Sequence, residues 1–143
     1  MAPPLLSVRC HYTLIRVNSF NLQISDEGNL QVVSVGGYLG RDQCYRVQQE
    51  LSRLMRQRTW AVIVDCSRLS CITNTSLTHL NLWVQDFQRQ GGQFRLAGLS
   101  RAARCNAELA GFETTALVAD LATARKTLND PTALKTKNNA KKN

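Results

Sequence analysis

The sequence predicts one α/β domain, built on a mainly parallel, mixed β-sheet with about four helices and an N-terminal β-hairpin. A chain of 143 residues suits a single ordinary domain, and its 43% hydrophobic and 20% charged residues are close to globular averages. After the hairpin, strand-like and helix-like segments alternate with short connections, which is typical of parallel strands joined by crossover helices. The predicted domain spans residues 20–128.

The first part of the domain contains the hairpin and one amphipathic helix. The segments FNLQIS and NLQVVSV alternate in polarity around DEG, which predicts two strands joined by a glycine-containing turn. Three glycines in GGYLGRD then interrupt the strand pattern. A helix is predicted over residues 42–56. Its apolar residues recur on one face: Cys44, Val47, Leu51 and Leu54.

The second part alternates three further strands with three helices. WAVIVDC is a near-continuous apolar run, typical of a strand buried on both faces of a sheet. The next helix follows TNTS and ends near Gln90, where Gly91 offers a stop. QFRLAGL predicts another strand, and Ser100 caps the helix RAARCNAELA. A short strand near TTALV precedes a last helix capped by Asp120.

The two ends of the chain differ from the domain between them. Residues 1–19 suit an N-terminal arm or an extra strand, and residues 129–143 suit a basic disordered tail. The net charge is +8, but the segment from Arg125 onward holds six Lys or Arg residues against one Asp, which accounts for +5 of it. We therefore expect no nucleic-acid partner for the folded domain, and only the tail offers such a contact.

Membrane, metal and cofactor functions have no support in the sequence. The longest apolar run is WAVIV, far short of a bilayer span, and the start lacks a signal-peptide pattern, so a cytoplasmic protein is expected. Five scattered cysteines and two histidines lack zinc-ligand spacing, so no metal site is expected. Phosphate-loop, dinucleotide, HExxH and GxSxG motifs are absent, and we expect neither a cofactor nor catalytic residues.

The corner TNTS, residues 73–76, gathers three hydroxyls and an amide between a strand and a helix. Such residues cap helix N-termini, and a hydroxyl in the first turn can also be phosphorylated. At 100° per residue, one side of the helix is predicted to face the core: Leu77, Leu80, Val84 and Phe87. The opposite, exposed side carries Thr75, Thr78, His79, Leu82, Asp86 and Arg89. Either a simple cap or a reactive hydroxyl explains the corner.

Residues 29–128 resemble the STAS domain, which is shared by sulphate transporters and bacterial anti-sigma factor antagonists. The resemblance includes VGGYLG, CYRVQQELSRL, VIVDCSRLSCITNTSLTHL, QRQGGQFRLAGLSRAARCNAELAGF and DLATARKTL, all in register. It implies the same sheet-and-helix layout and a role in binding a regulatory partner.

Antagonists of this family carry Asp-Ser-Ser-Gly or Asp-Ser-Thr-Gly at the corner, and a partner kinase phosphorylates the second hydroxyl. In register, Thr73 replaces the Asp, Thr75 takes the phosphorylated position and Ser76 replaces the Gly. Gly40 stands where the family has an acidic residue. The resemblance thus implies phosphorylation at Thr75, with Ser76 as second choice.

The predicted partner is an anti-sigma factor of the serine/threonine kinase type. The residues expected to contact it are Asn74, Thr75, Ser76, Thr78, His79 and Leu82. Two other roles remain open: a STAS subunit of a transport complex of the ABC lipid transporter type, and a phosphate-independent scaffold similar to stressosome subunits.

Overall fold

A computed structural model describes residues 20–57 and 59–128. The predicted N-terminal arm and basic tail lie outside this range. The elements, in chain order, are β1 (Phe20–Glu27), β2 (Leu30–Leu39), α1 (Arg41–Arg56), β3 (Ala61–Ile72), α2 (Asn74–Arg89), β4 (Gln93–Ala97), α3 (Arg101–Leu109), a 3₁₀ turn (Thr114–Ala116), β5 (Leu117–Val118) and α4 (Leu121–Leu128).

The five strands form one mixed sheet in the order β1-β2-β3-β4-β5. β1 runs antiparallel to β2, and every other neighbouring pair is parallel. The hairpin turn contains Gly28, whose φ of 82° suits a residue without a Cβ, and Asp26 Oδ1 accepts a hydrogen bond from its N–H at 2.9 Å. The predicted fold class, including the N-terminal hairpin, is confirmed.

Two strands are longer than the sequence pattern predicts. β2 continues through Gly36 and Gly37 to Leu39, and β3 continues past Cys66 to Ile72. Their pairing shifts register between Ser34 and Gly36 and again after Gly37, whose φ is 84°. The expectation that GGYLG interrupts the strand was therefore wrong: these irregularities absorb the glycines, and ladder hydrogen bonds hold both strands in extended form.

Hydrophobic side chains form a core on each face of the sheet. Helices α1, α2 and α3 pack on one face, where the core includes Val62, Val64 and Phe94. α4 covers the other face, where Ala124 and Leu128 contact a smaller cluster that includes Ile63. β3 therefore sends alternate side chains into two cores, which confirms that it is buried on both faces.

The predicted helix ends are also observed. Ser100 Oγ accepts a hydrogen bond from the N–H of Ala103 at 3.2 Å, and Asp120 Oδ1 accepts one from Thr123 at 2.8 Å. Gly91, with a φ of 91°, follows the end of α2. These helix ends could be predicted from the sequence because each depends on a residue adjacent to its own helix.

Candidate partner-binding surface at the start of α2

The start of α2 is fixed by Thr73, the residue between β3 and the helix. Thr73 has extended backbone angles, and its Oγ1 accepts a hydrogen bond from the N–H of Ser76 at 3.1 Å. Its own N–H donates to the carbonyl of Leu39 at 3.1 Å, which joins the corner to the end of β2. Thr73 is therefore the N-cap of α2 and holds the helix start against the sheet.

Ser76 occupies a different position from the one predicted for it. Its side chain is fully buried, and its Oγ accepts a hydrogen bond from Thr73 Oγ1 at 2.8 Å. The Cys44 thiol lies 3.6 Å from the Ser76 carbonyl, which links α1 to the same turn. The Ser76 side chain therefore faces the interior and is not exposed to solvent. Ser76, predicted as a contact residue and as the second-choice phosphorylation site, is therefore buried in this structure.

Thr75 is the exposed hydroxyl of the corner. It lies two residues after the N-cap, and within residues 20–57 and 59–128 its hydroxyl has no hydrogen-bond partner. Asn74 is also exposed, and its carbonyl accepts a hydrogen bond from Thr78 Oγ1 at 3.0 Å. Of the two explanations for the corner, capping therefore belongs to Thr73, while Thr75 presents a free hydroxyl to solvent.

The faces of α2 are those that the helical spacing predicts. The four residues expected in the core are buried: Leu77, Leu80, Val84 and Phe87. On the opposite side Thr75, Thr78, His79 and Leu82 are exposed, and Leu82 leaves 59% of its surface open. Isolated exposed leucines are common, so the significance of Leu82 depends on its neighbours.

Leu82 lines a groove between α1 and α2 that has a volume of about 690 Å³. Tyr45, which is 63% exposed, lines it from α1, and the largely buried Trp83 lines it from α2. Gln48 Nε2 bridges the helices by donating to the His79 carbonyl at 3.0 Å. Tyr45 was not among the predicted contact residues because it adjoins the core stripe of its own helix, and only helix packing brings it to the same groove as Leu82.

The described residues include two buried cysteine thiols, Cys44 and Cys66. Burial, reinforced by the charge of Asp65, raises the pKa of the Cys66 thiol far above its usual range, and burial also raises the pKa of Cys44. Both thiols therefore stay protonated at neutral pH and are poor nucleophiles. Within the described part of the chain, no three His, Cys, Asp or Glu residues cluster as metal ligands, and no helix is long and apolar enough to cross a bilayer.

A family model described as "Mlab, STAS domain" matches residues 22–120. The chain belongs to the STAS domain family. A comparison with curated proteins gave no significant match.

Several solved structures share the fold of this STAS domain. An anti-sigma factor antagonist from Mycobacterium paratuberculosis aligns with a TM-score of 0.70 and 20% identity, over 79% of this chain and 97% of that one. The Bacillus antagonist SpoIIAA in its unphosphorylated form aligns with a TM-score of 0.66 and 15% identity, over 76% and 96%. The phosphorylated form of SpoIIAA gives 0.64 and 15%, over 76% and 100%. At these identities the likeness establishes the fold.

Proposed function

We propose that this STAS domain is an anti-sigma factor antagonist, a regulatory binding protein without catalytic activity. Its partner is an anti-sigma factor of the serine/threonine kinase type, and phosphorylation of Thr75 switches the interaction. The proposed contact surface consists of Asn74, Thr75, Thr78, His79 and Leu82. The observation that carries the proposal is the environment of Thr75. Its hydroxyl is exposed, with no hydrogen-bond partner in the described part of the chain, at the position that corresponds to the phosphorylated residue of the antagonists it resembles.

The position of Thr75 explains how a phosphate would act. A phosphate adds a charge of about −1.5 to −2 at neutral pH, and the backbone N–H groups of the first helical turn favour such a charge. The first turn of α2 contains no acidic residue that would repel it. Phosphorylation therefore leaves the domain folded while it places a strong negative charge in the middle of the contact surface.

The hydrophobic part of the surface supplies binding energy that the corner alone lacks. Leu82 lies two helical turns beyond Thr75 and is open to solvent for 59% of its surface. Burying an exposed leucine side chain is worth about 1.5–3 kcal/mol, whereas hydroxyl contacts chiefly set specificity. We therefore assign Leu82 as the hydrophobic anchor of the interface and Thr75 as its switch.

A second candidate function is the STAS subunit of a transport complex of the ABC lipid transporter type. Two observations favour it: the matching family model carries the description "Mlab", and the corner lacks the Asp and Gly that flank the phosphorylated residue in antagonists, with Thr73 and Ser76 in their places. In that role the same surface would bind an ATP-binding subunit without a phosphorylation step.

The test begins with a tagged full chain, purified from its native cells together with its partner. A captured serine/threonine kinase is then incubated with ATP and the purified chain, and the modified residue is mapped by mass spectrometry. Phosphate is expected on Thr75 and absent from Thr75→Ala. The matched control is Thr78→Ala, which removes a second exposed hydroxyl from the same face and, at saturating kinase, should still carry phosphate on Thr75.

A binding titration with the purified kinase completes the test. Thr75→Ala should bind like the unmodified protein, and Thr75→Glu should bind at least about tenfold more weakly because it carries charge into the contact surface. Leu82→Ala should weaken binding, but at saturating kinase the phosphate should still be found on Thr75. Capture of ATP-binding cassette subunits, with equal binding by Thr75→Glu, would contradict the switch and support the transport role. Capture of other STAS proteins instead would favour the scaffold.

A further inference from the structure

The first strand, β1, forms an edge of the sheet. It is eight residues long and, within the described part of the chain, pairs only with β2. Natural proteins protect such edges with lysine, proline, bulges or very short strands. β1 contains no lysine or proline, and its pairing with β2 is regular from Phe20 to Glu27. Among the described residues nothing covers this edge, and an edge of this length is suited to pairing with another strand.

The side chains of β1 allow both faces of the sheet to continue beyond this edge. Phe20, Leu22 and Ile24 lie on the side of α1 and α2, where they pack against the core and remain half-exposed. The alternate residues, Asn21, Gln23 and Ser25, are exposed on the other face and carry no charge. A second strand of the same sequence would cover the half-exposed apolar residues and meet no like charge over this stretch.

The charges at the two ends of β1 complement each other in an antiparallel arrangement. At one end the Arg46 guanidinium lies 5.5 Å from the centre of the Phe20 ring. At the other end Asp26 is exposed and, because side chains alternate, lies on the same face as Phe20. If a second copy ran antiparallel with Gln23 at the symmetry axis, its Asp26 would stand opposite Phe20 and beside Arg46.

We propose that β1 pairs antiparallel with β1 of a second copy of this chain, with Gln23 facing the partner's Gln23. The two five-stranded sheets then form one continuous ten-stranded sheet. Main-chain hydrogen bonds join the edges, the paired Leu22 and Ile24 side chains bury apolar surface, and Arg46 pairs with the partner's Asp26 at both ends. The interface involves β1 rather than the start of α2, so the inference does not depend on the proposed function.

Disulfide formation tests both the pairing and its register. In the full chain, Cys10, Cys71 and Cys105 are replaced by serine, and the buried Cys44 and Cys66 are kept. Directly opposed residues in an antiparallel pair have Cα atoms about 4.5–5.5 Å apart, within the range that a disulfide spans. Gln23→Cys should therefore form a covalent dimer under mild oxidation.

The matched control is Ser25→Cys, a substitution on the same face of the same strand. In the proposed register, two copies of residue 25 are separated by four residues along the strands, roughly 14 Å, so this variant should not cross-link alone. An equal mixture of Asn21→Cys and Ser25→Cys should cross-link, because these positions oppose each other. Equal cross-linking of Gln23→Cys and Ser25→Cys alone would overturn the register.

Sedimentation equilibrium on the full chain tests association without cross-links. The protein should be dimeric, and Gln23→Lys should weaken the dimer about fivefold because it places like charges opposite each other. Gln90→Lys, at an exposed position after α2, is the control and should leave association unchanged. A chain that stays monomeric at 100 µM, whether its edge is open or occupied by its own residues 1–19, would overturn the proposal.

Discussion

The hydroxyl groups of Thr73, Thr75 and Ser76 lie within four residues of one another, yet each has a different environment. Thr73 caps α2, Ser76 is buried against that cap, and Thr75 faces solvent with no hydrogen-bond partner among the residues that the structure describes. The difference follows from helix geometry: the N-cap side chain turns back over the first free N–H groups, and the next two or three residues point in directions about 100° apart. Their residue types alone do not reveal these different environments.

Two alanine substitutions at this corner should have clearly different effects on stability. Thr73→Ala should lower the free energy of unfolding by about 1 kcal/mol, because it removes an N-cap acceptor. Thr75→Ala should change it by less than about 0.5 kcal/mol, because its hydroxyl makes no bond within the described structure. Urea unfolding of both variants measures the difference. A larger loss for Thr75→Ala than for Thr73→Ala would contradict the assignment of the cap.

Among the elements, α4 differs from the other helices because it alone, of those described, covers its face of the sheet. Its start is capped by Asp120, and its outer side is tied to the hairpin by Arg125, which makes two hydrogen bonds to the Glu27 carboxylate at 3.1 and 2.7 Å. These contacts are exposed, so each contributes modestly, and salt screens the ion pair. The stability of α4 should therefore depend on the salt concentration.

The carboxylate of Asp120, which caps α4, makes the stability of the fold depend on pH in the acid range. Hydrogen bonds from the Thr123 backbone and hydroxyl hold the pKa of Asp120 below its ordinary value of 3.8. A carboxylate whose pKa is lower in the folded state stabilises the fold above the unfolded pKa, and that contribution is lost as the pH falls through the folded pKa. We therefore expect a loss of stability below about pH 4 to which Asp120 contributes.

The matched variant is Asp120→Asn, which retains a capping oxygen but cannot titrate in this range. The free energy of unfolding, measured from pH 2 to pH 7, should fall less steeply below pH 4 in Asp120→Asn than in the unmodified protein. Identical profiles would show that the Asp120 cap does not contribute to the acid dependence.

In the molecule as a whole, β3 connects the two cores. Val62 and Val64 point towards α1, α2 and α3, and Ile63 between them points towards α4. Domains of this size are stable by only about 5–15 kcal/mol, so the loss of one core threatens the whole fold. The central strand is therefore the least tolerant part of the domain.

We predict that Ile63→Asp prevents folding, or nearly so, because Ile63 has no exposed surface and an unpaired buried charge costs several kcal/mol. Ser70→Asp is the control, since it adds the same charge at an exposed position of the same strand. Circular dichroism and thermal melting distinguish them. A normal melting transition for Ile63→Asp would refute the two-core arrangement.

Features that depend on residues close together in sequence were determined by the sequence itself. The order of strands and helices, the helix caps at Ser100 and Asp120, and the core face of α2 all follow from periodicity and local hydrogen bonding, and the short connections between these elements predict the mixed sheet. The family resemblance was likewise visible in the order of motifs. These predictions succeeded because strand alternation and helix spacing are repeated over many residues, so that no single position decides them.

Only the tertiary structure decided where individual side chains of the surface lie. It buried Ser76 because α1 packs over the first turn of α2, it brought Tyr45 beside Leu82, and it extended β2 through its glycines by pairing them with β3. Each depends on contacts between residues about 30 positions apart, which local propensity does not encode. The physical reason is that burial and ladder pairing are properties of neighbours in space, and they outweigh the roughly 1 kcal/mol preferences of single residues.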